Sequence, residues 1–230
     1  FPPYPDRKDV DLHAVLHPAK EVGGDLYDFY IDDNRLYFLI GDVSGKGVPA
    51  SLFMAITRSL FRTLSQKELS PAKIVTEMNN SISDNNESNM FVTLIVGILD
   101  LSTGVMKLCN AGHNPPILIN PDGETSFLRF KTHIFAGIIE DFVYTDEEVT
   151  LEKGSKLFLY TDGVTEAENS SKELYGDEML LQTLSENTTL DVRKTVDTIV
   201  CSITEHVQEA EASDDLTILL IHYEPESKQK

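Results

Sequence analysis

The chain contains 230 residues, of which 41% are hydrophobic and 25% are charged, and its formal net charge is −19. This composition is that of a folded protein, and the length suffices for one large domain with a sizeable core. The excess of acidic residues argues against binding to DNA, RNA or an anionic membrane, and no apolar run approaches the roughly 20 residues of a membrane span.

The start of the chain is expected to be an extended lead-in over residues 1–11, because it carries three prolines and alternating charges. Phe1 stands where a Met would be expected and no signal-peptide pattern follows, which favours a fragment of a longer polypeptide. No repeat or linker divides the rest, so residues 1–230 are predicted to form one domain. Cys109 and Cys201 are too few for a disulfide framework and indicate a reducing, cytoplasmic compartment.

The first half of the chain predicts strands followed by two helices. A turn at residues 32–34 joins two β-type runs, which predicts a hairpin over residues 24–43 after a first short strand at 12–17. A helix should begin near Pro49, and Ser70 followed by Pro71 predicts the start of a second. Spacings of three and four residues indicate the buried faces of the two helices: Leu52, Phe53, Ile56 and Leu60 in the first, and Ile74, Val75, Met78 and Ile82 in the second.

The second half is predicted to be rich in strands and to end with helices and a last strand. Hairpins are expected over residues 91–111 and, around Lys153 and Gly154, over residues 143–161. Residues 190–212 predict a long helix, and residues 216–221 predict a buried strand. Runs of strands separated from runs of helices favour an α+β fold with mainly antiparallel sheets.

Aspartates recur where these predicted strands begin or end. Asp25 opens one strand of the first hairpin and Asp42 closes the other, so both lie at the same end of the sheet. Asp162 follows a predicted strand, and Asp214 and Asp215 precede the last one. Each aspartate taken alone is typical of a turn or of a charged sheet edge. Together, they would repel one another unless divalent cations lay between them.

An all-oxygen site of this kind, without His or Cys ligands, favours Mg²⁺ or Mn²⁺. Two such ions about 3.5–4 Å apart can activate a water molecule toward a phosphorus centre. The sequence offers no Gly-x-Ser-x-Gly elbow, no Cys/His signature and no Asp-x-Asp motif that would supply a protein nucleophile.

Five motifs in order resemble one family, and they lie at residues 19–28 (AKEVGGDLYD), 41–47 (GDVSGKG), 110–115 (NAGHNP), 160–166 (YTDGVTE) and 214–217 (DDLT). The chain is similar to the bacterial protein phosphatase 2C-like (PPM family) serine phosphatases of the sporulation stage II E and sigma-factor-regulator type. This resemblance implies a four-layer α-β-β-α sandwich with two mainly antiparallel sheets and a two-metal site. It also implies that the chain can be the cytoplasmic output domain of a membrane-anchored receptor.

The resemblance also implies a ligand set for two Mg²⁺ or Mn²⁺ ions. Asp42 would bridge both ions and the Val43 carbonyl would bind one of them. Asp162 and Asp214 would hold the first ion, and Asp25 would serve the second directly or through water. Asp215 lies where the wider family has Asn, so it is interpreted as a hydrogen-bond acceptor beside the ligands.

Three further polar groups are open to two interpretations each. Lys20 stands where many relatives carry a phosphate-binding Arg, but it can equally be an exposed strand lysine. His113 can donate a proton to the leaving serine oxygen or can fix a loop, which we favour. The acidic run at residues 146–148 is interpreted as a solvated strand edge.

The function predicted from these residues is a metal-dependent protein serine/threonine phosphatase that acts through metal-bound hydroxide. The resemblance implies a phosphorylated anti-sigma-factor antagonist as substrate, an N-terminal sensor or coupling segment in the full-length chain, and a possible homodimer. The alternative from another class is a catalytically weak or silent module of the same fold that docks a partner. A calcium-stabilised structural domain is disfavoured because no EF-hand loop is present.

Overall fold

The computed structural model describes residues 3–84, 86 and 89–225. The strands are β1 (Val10–His17), β2 (Leu26–Asp32), β3 (Arg35–Val43), β4 (Val92–Asp100), β5 (Val105–Ala111), β6 (Ile117–Ile119), β7 (Thr125–Phe127), β8 (Thr132–His133), β9 (Glu147–Thr150), β10 (Lys156–Tyr160) and β11 (Leu216–Tyr223). The helices are α1 (Val48–Leu64), α2 (Pro71–Ser83), α3 (Asp162–Thr165), α4 (Gly176–Glu186) and α5 (Val192–Val207).

The chain divides into two compact units, each built around one sheet. The first unit contains Lys20–His113 and Phe130–Thr150, and the second contains Tyr4–Ala19, Asn114–Arg129 and residues 151–225. The expectation that residues 1–230 form a single domain stays a prediction. No helix within the described residues is long and apolar enough to cross a membrane.

The first unit carries a sheet in the order β2-β3-β4-β5-β8, with β9 paired to β5. All of its pairs are antiparallel except the short β5–β8 pair. The predicted hairpin is confirmed, since Asp32 pairs with Arg35 across a turn in which Asp33 has a φ of 51°. Helix α2 begins as predicted, because the Ser70 side chain accepts a hydrogen bond from the Lys73 amide and Pro71 occupies the first turn.

Helix α1 exists as predicted, but its predicted buried face is only half right, since Phe53 and Leu60 pack against the core of the first unit and the other two residues do not. Leu52 and Ile56 are 62% and 54% exposed, whereas Ala50, Thr57 and Phe61 are buried. The cause lies in the sequence itself: α1 carries apolar residues on both sides, so spacing alone does not decide which side faces the sheet. The predicted buried face of α2 is confirmed, because Ile74, Val75, Met78 and Ile82 all lie in the core.

The second unit carries a sheet in the order β1-β11-β10-β6-β7, and all of its pairs are antiparallel. Strand β1 starts at Val10, so the predicted lead-in over residues 1–11 is two residues too long at its end; Phe1 and Pro2 lie outside the described residues. Helix α5 ends at Val207 rather than at residue 212, and it buries Val192, Val196, Ile199 and Ile203 as its spacing predicts.

The predicted hairpin over residues 143–161 is wrong. Strand β9 pairs with β5 in the first unit, while β10 pairs with β11 and β6 in the second. Lys153 and Gly154 do form a turn, and the Gly154 amide donates to the Tyr223 carbonyl. A turn signal reports a local reversal of the chain and not which strand each flank will pair with, which explains the error.

The acidic run at residues 146–148 matches its interpretation in part: Glu147 and Glu148 lie in strand β9 and Glu148 is exposed, but Asp146 contacts a helix. Both carboxylate oxygens of Asp146 accept hydrogen bonds at the start of α2, one from the Ser70 hydroxyl at 2.6 Å and one from the Ala72 amide at 2.5 Å. Asp146 therefore satisfies free donors of a helix N-terminus rather than facing only water. The α+β class with two mainly antiparallel sheets is confirmed.

Candidate functional site

The first pair of candidate carboxylates belongs to the β2–β3 hairpin in the first unit. Leu26 pairs with Gly41, and the same register extended by one residue sets Asp25 opposite Asp42. Side chains opposite each other in an antiparallel pair have Cβ atoms about 4.5–5.5 Å apart on one face of the sheet. The sequence therefore places both carboxylates at one end of one hairpin, and the Asp25 residue is only 2% exposed.

The Val43 carbonyl lies against the backbone of Gly24. A Cβ atom built on Gly24 would stand 2.9 Å from the Val43 oxygen, which is closer than side-chain carbons approach a carbonyl. Any residue other than glycine would therefore displace this oxygen. The Gly-Gly-Asp sequence thus leaves room for a carbonyl that belongs to the predicted ligand set, and this space fits an oxygen-rich cation site.

His113 connects to the Asp42 backbone through Thr93. The His113 Nδ1 atom lies 2.9 Å from the Thr93 hydroxyl, and this hydroxyl lies 3.5 Å from the Asp42 carbonyl oxygen. The Asn110 side chain accepts from the His113 amide at 2.7 Å and donates to the His113 carbonyl at 2.9 Å. These are the contacts of a histidine that fixes a loop, and at 5% exposure its ring is nearly closed to solvent. The proton-donor role stays a prediction.

The second pair of candidate carboxylates lies at one end of β10 and β11 in the second unit. Asp162 opens α3 directly after β10, and Asp214 stands two residues before β11. A Cβ atom built on Gly163 would lie 2.0 Å from the Asp215 carbonyl oxygen, so the two backbones approach at a distance that only glycine permits. Asp162-Gly163 and Asp214-Asp215 are therefore neighbours, as expected because β10 and β11 pair with each other.

Asp215 has a defined partner within the second unit. Its Oδ1 atom accepts a hydrogen bond from the Ala19 amide at 2.8 Å, and the residue is 7% exposed. This contact matches the interpretation of Asp215 as a hydrogen-bond acceptor. Lys20 is exposed, but it lies in the bend after β1, so its interpretation as a strand lysine is wrong. Its contact with a phosphate stays a prediction.

Sequence reasoning gave no role to Asp28, the last residue of the first motif. Its side chain is fully buried and accepts two hydrogen bonds from Arg62, both at 2.6 Å, and one from Arg58 at 3.1 Å. Arg62 also donates to the Phe29 carbonyl at 2.9 Å, and its guanidinium lies 4.7 Å from the Tyr30 ring centroid. The carboxylate beside it raises the Arg62 pKa through these hydrogen bonds. The ion pair attaches α1 to β2, three residues from Asp25.

Each unit thus brings two of the predicted ligands to one end of its own sheet. Within the part of the chain that the structure describes, no three His, Cys, Asp or Glu side chains form a group that could hold a metal ion by themselves. The full ligand set of Asp25, Asp42, Val43, Asp162 and Asp214 therefore stays a prediction.

A comparison with protein-family models matches residues 32–224 to "Stage II sporulation protein E (SpoIIE)". The chain belongs to the SpoIIE family. The match covers all but two of the strands and every helix, so it concerns both units. The resemblance to phosphatases of the sporulation stage II E type is confirmed.

Two curated relatives extend beyond this chain. It is 29% identical over 246 residues to protein IcfG of Synechocystis sp. (strain ATCC 27184 / PCC 6803 / Kazusa), covering 95% of this chain and 38% of the relative. It is 26% identical over 217 residues to phosphoserine phosphatase RsbU of Bacillus subtilis (strain 168), covering 94% of this chain and 64% of the relative. The chain therefore spans between 38% and 64% of the length of these relatives.

Two solved structures share the fold. The SiaA-PP2C domain of Pseudomonas aeruginosa superposes with a TM-score of 0.83 at 20% identity, covering 93% of this chain and 86% of that one. The catalytic domain of serine threonine protein phosphatase PstP, in complex with two manganese ions, superposes with a TM-score of 0.65 at 15% identity, covering 94% and 98%. The SpoIIE-family chain therefore has the fold of PP2C-type phosphatases.

Proposed function

We propose that this SpoIIE-family chain is a metal-dependent protein phosphatase that hydrolyses phosphoserine or phosphothreonine on a regulatory protein. The observation that carries the proposal is the pairing of aspartates: one pair ends the β2–β3 hairpin and the other ends β10 and β11. Family membership supports the same activity, and RsbU bears the name phosphoserine phosphatase.

We assign two Mg²⁺ or Mn²⁺ ions to Asp25, Asp42, Val43, Asp162 and Asp214. The donor set consists of carboxylate and carbonyl oxygens, which these hard cations prefer. PstP, which has the same fold, was solved with two manganese ions. When bound, such ions activate a water molecule and neutralise the negative charge of a phosphate.

The protein's own part in the reaction is to position these oxygens. Gly24 leaves the space that the Val43 carbonyl occupies, and the Thr93 hydroxyl lies 3.5 Å from the Asp42 carbonyl oxygen. His113 reaches the same strand pair through Thr93, and a proton-donor role would require its ring to turn toward the substrate. Lys20 is proposed to contact the substrate phosphate as a single positive charge.

The substrate and the partners are proposed from the relatives. The substrate would be a phosphorylated protein of the anti-sigma-factor antagonist type, in the cytoplasm. Relatives such as RsbU are longer than this chain, so we propose that a sensor or coupling segment preceding the phosphatase region controls its activity. The simplest form of this control would be the pairing of two copies of the protein.

The test compares two Asp→Asn substitutions at opposite ends of one hairpin. Hydrolysis of p-nitrophenyl phosphate and of a phosphoserine peptide is measured with Mn²⁺, with and without EDTA. Asp42→Asn should lower the rate at least about a hundredfold, because the ions that Asp42 would hold contribute several kcal/mol of charge stabilisation when bound. The matched control Asp33→Asn lies in the turn, where Asn tolerates the positive φ, and should stay within about twofold.

Two outcomes would contradict the proposal. Hydrolysis that survives EDTA would exclude a metal-dependent reaction, and equal rates for the two variants would exclude Asp42 from it. Binding of a phosphopeptide without any turnover would instead favour the partner-docking module.

A further inference from the structure

A groove of about 320 Å³ lies in the second unit beside the predicted metal ligands. It is lined by α5, by the segment that follows α3, by the end of β1 and by residues 211–216. Asp214 and Gly163, the latter adjacent to Asp162, are among its lining residues. Its volume is at the lower end of the range in which proteins bind small ligands or single side chains.

The floor of this α5 groove is apolar. Val200, Ile203 and Val207 face it from α5, and Ala167 and Leu216 line it from the segment after α3 and the start of β11. All five belong to the core of the second unit or pack against it, which gives the groove a fixed base. An apolar side chain of a ligand would lose contact with water there, which favours binding.

The rim of the α5 groove is acidic. Glu168 and Glu211 line it, and no Lys or Arg is among the described residues that line it. Asp214 is not counted here, because the proposed function assigns its charge to a metal ion. Lys172 lies 2.8 Å from the Glu168 carboxylate and offsets part of its charge, so the exposed Glu211 contributes most of the negative charge of the rim. The whole chain carries a net charge of −19, so the field around the groove favours a positively charged occupant and repels an acidic one.

We infer that the α5 groove binds a segment of the phosphoprotein substrate in which an apolar side chain stands next to Lys or Arg, within a few residues of the phosphorylated serine. The inference rests on the proposed function, because it assigns the neighbourhood of Asp214 to the site of hydrolysis. Basic residues beside the phosphoserine would also offset the repulsion between its phosphate and an acidic enzyme.

The inference predicts a specificity that two phosphopeptides can test. Both are fluorescein-labelled and share a central phosphonate analogue of phosphoserine, which a phosphatase cannot hydrolyse during the measurement; one carries Leu and Arg on each side, and the other carries Ala and Glu at those positions. In the presence of Mn²⁺ the first should bind about tenfold to a hundredfold more tightly by fluorescence anisotropy, the discrimination that apolar pockets give.

The matched variants are Glu211→Arg and Glu209→Arg. Each substitution reverses the charge of an exposed Glu, and the two positions are two residues apart in sequence. Of the two, only Glu211 lines the groove. Glu211→Arg should weaken binding of the Leu-Arg peptide about tenfold, whereas Glu209→Arg should change it less than about threefold. Ala212→Trp, at another exposed lining position, should fill the groove and lower the preference for the Leu-Arg peptide over the Ala-Glu peptide about tenfold.

Equal binding of the two peptides to the unmodified chain would overturn the inference, as would equal effects of the two charge reversals. Hydrolysis of p-nitrophenyl phosphate by the unmodified chain is measured in parallel, since this substrate carries no flanking residues. Hydrolysis without peptide discrimination would refute the groove alone, whereas discrimination without hydrolysis would refute the proposed function and leave the groove as a peptide-binding site.

Discussion

The ion pair between Asp28 and Arg62 gives the sharpest test of how α1 is held on its sheet. Asp28 is fully buried and accepts four hydrogen bonds: two from Arg62, one from Arg58 and one from the Phe29 amide. Arg62→Met removes the two shortest and keeps an apolar stem of similar length. Removing one partner of a buried ion pair costs about 3–5 kcal/mol, because the other charge stays buried.

The expected loss is at the low end of that range, about 3 kcal/mol, since Arg58 and the Phe29 amide still contact the carboxylate. The control is Arg58→Met at a side chain as exposed as Arg62 (36% and 35%); it removes a single hydrogen bond of 3.1 Å and should cost about 1 kcal/mol. Adding Asp28→Leu to Arg62→Met should recover part of the loss, because no charge is then buried without its partner.

The measurement is urea unfolding followed by circular dichroism, with the midpoint and slope fitted for each variant. A loss of stability below about 1 kcal/mol for Arg62→Met, or equal losses for the two arginine variants, would refute the claim that the two hydrogen bonds from Arg62 to Asp28 hold α1 on its sheet. A failure of Asp28→Leu to recover stability would show that the cost comes from packing of the arginine stem instead.

Three further predictions each concern the substitution of one residue. Gly24→Ala would push a Cβ to 2.9 Å from the Val43 carbonyl oxygen, and calorimetric titration should show Mn²⁺ affinity reduced about tenfold with the fold retained by circular dichroism. Gly163→Ala would place a Cβ 2.0 Å from the Asp215 carbonyl oxygen, and urea unfolding should show a loss of about 3 kcal/mol; an unchanged midpoint would contradict this close approach. Burial lowers the pKa of His222 below its usual 6.5, so the unfolded chain takes up the proton first and stability falls as pH decreases below 6.5. His222→Gln should flatten that pH dependence, and an unchanged slope between pH 7.5 and 5.5 would exclude this histidine.

Element positions were predictable wherever local chemistry decides them. The Ser70-Pro71 cap set the start of α2, and residues 32–34 set the hairpin turn, because both signals act within a few residues. Pairing between distant strands was not predictable: nothing in residues 147–150 indicates that they join β5 rather than the strand that follows them. The buried side of α1 was predicted only in part, because its apolar residues are not confined to one side: Phe53 and Leu60 pack on the core, whereas Leu52 and Ile56 are exposed.

The places of the four candidate aspartates in the fold were predictable, whereas their joint role as metal ligands stays a prediction. Their positions at strand ends followed from the sequence pattern, and register then set Asp25 opposite Asp42. The roles of Asp28 and Thr93 could not be predicted from the sequence, because each depends on a distant partner. Arg62 is 34 residues from Asp28, and His113 is 20 residues from Thr93. A second aspartate within the first motif, followed by two arginines on the next helix, was the signal available for Asp28.

The second unit also restricts when this protein can fold. Its sheet pairs β1 with β11, so that Val10 lies beside Tyr223, and its strands come from three separate stretches of the chain. A ribosome must therefore release the last strand before the first one finds its partner, and until then β1 presents an open edge. The first unit needs nothing later than residue 150, so it can form earlier during synthesis.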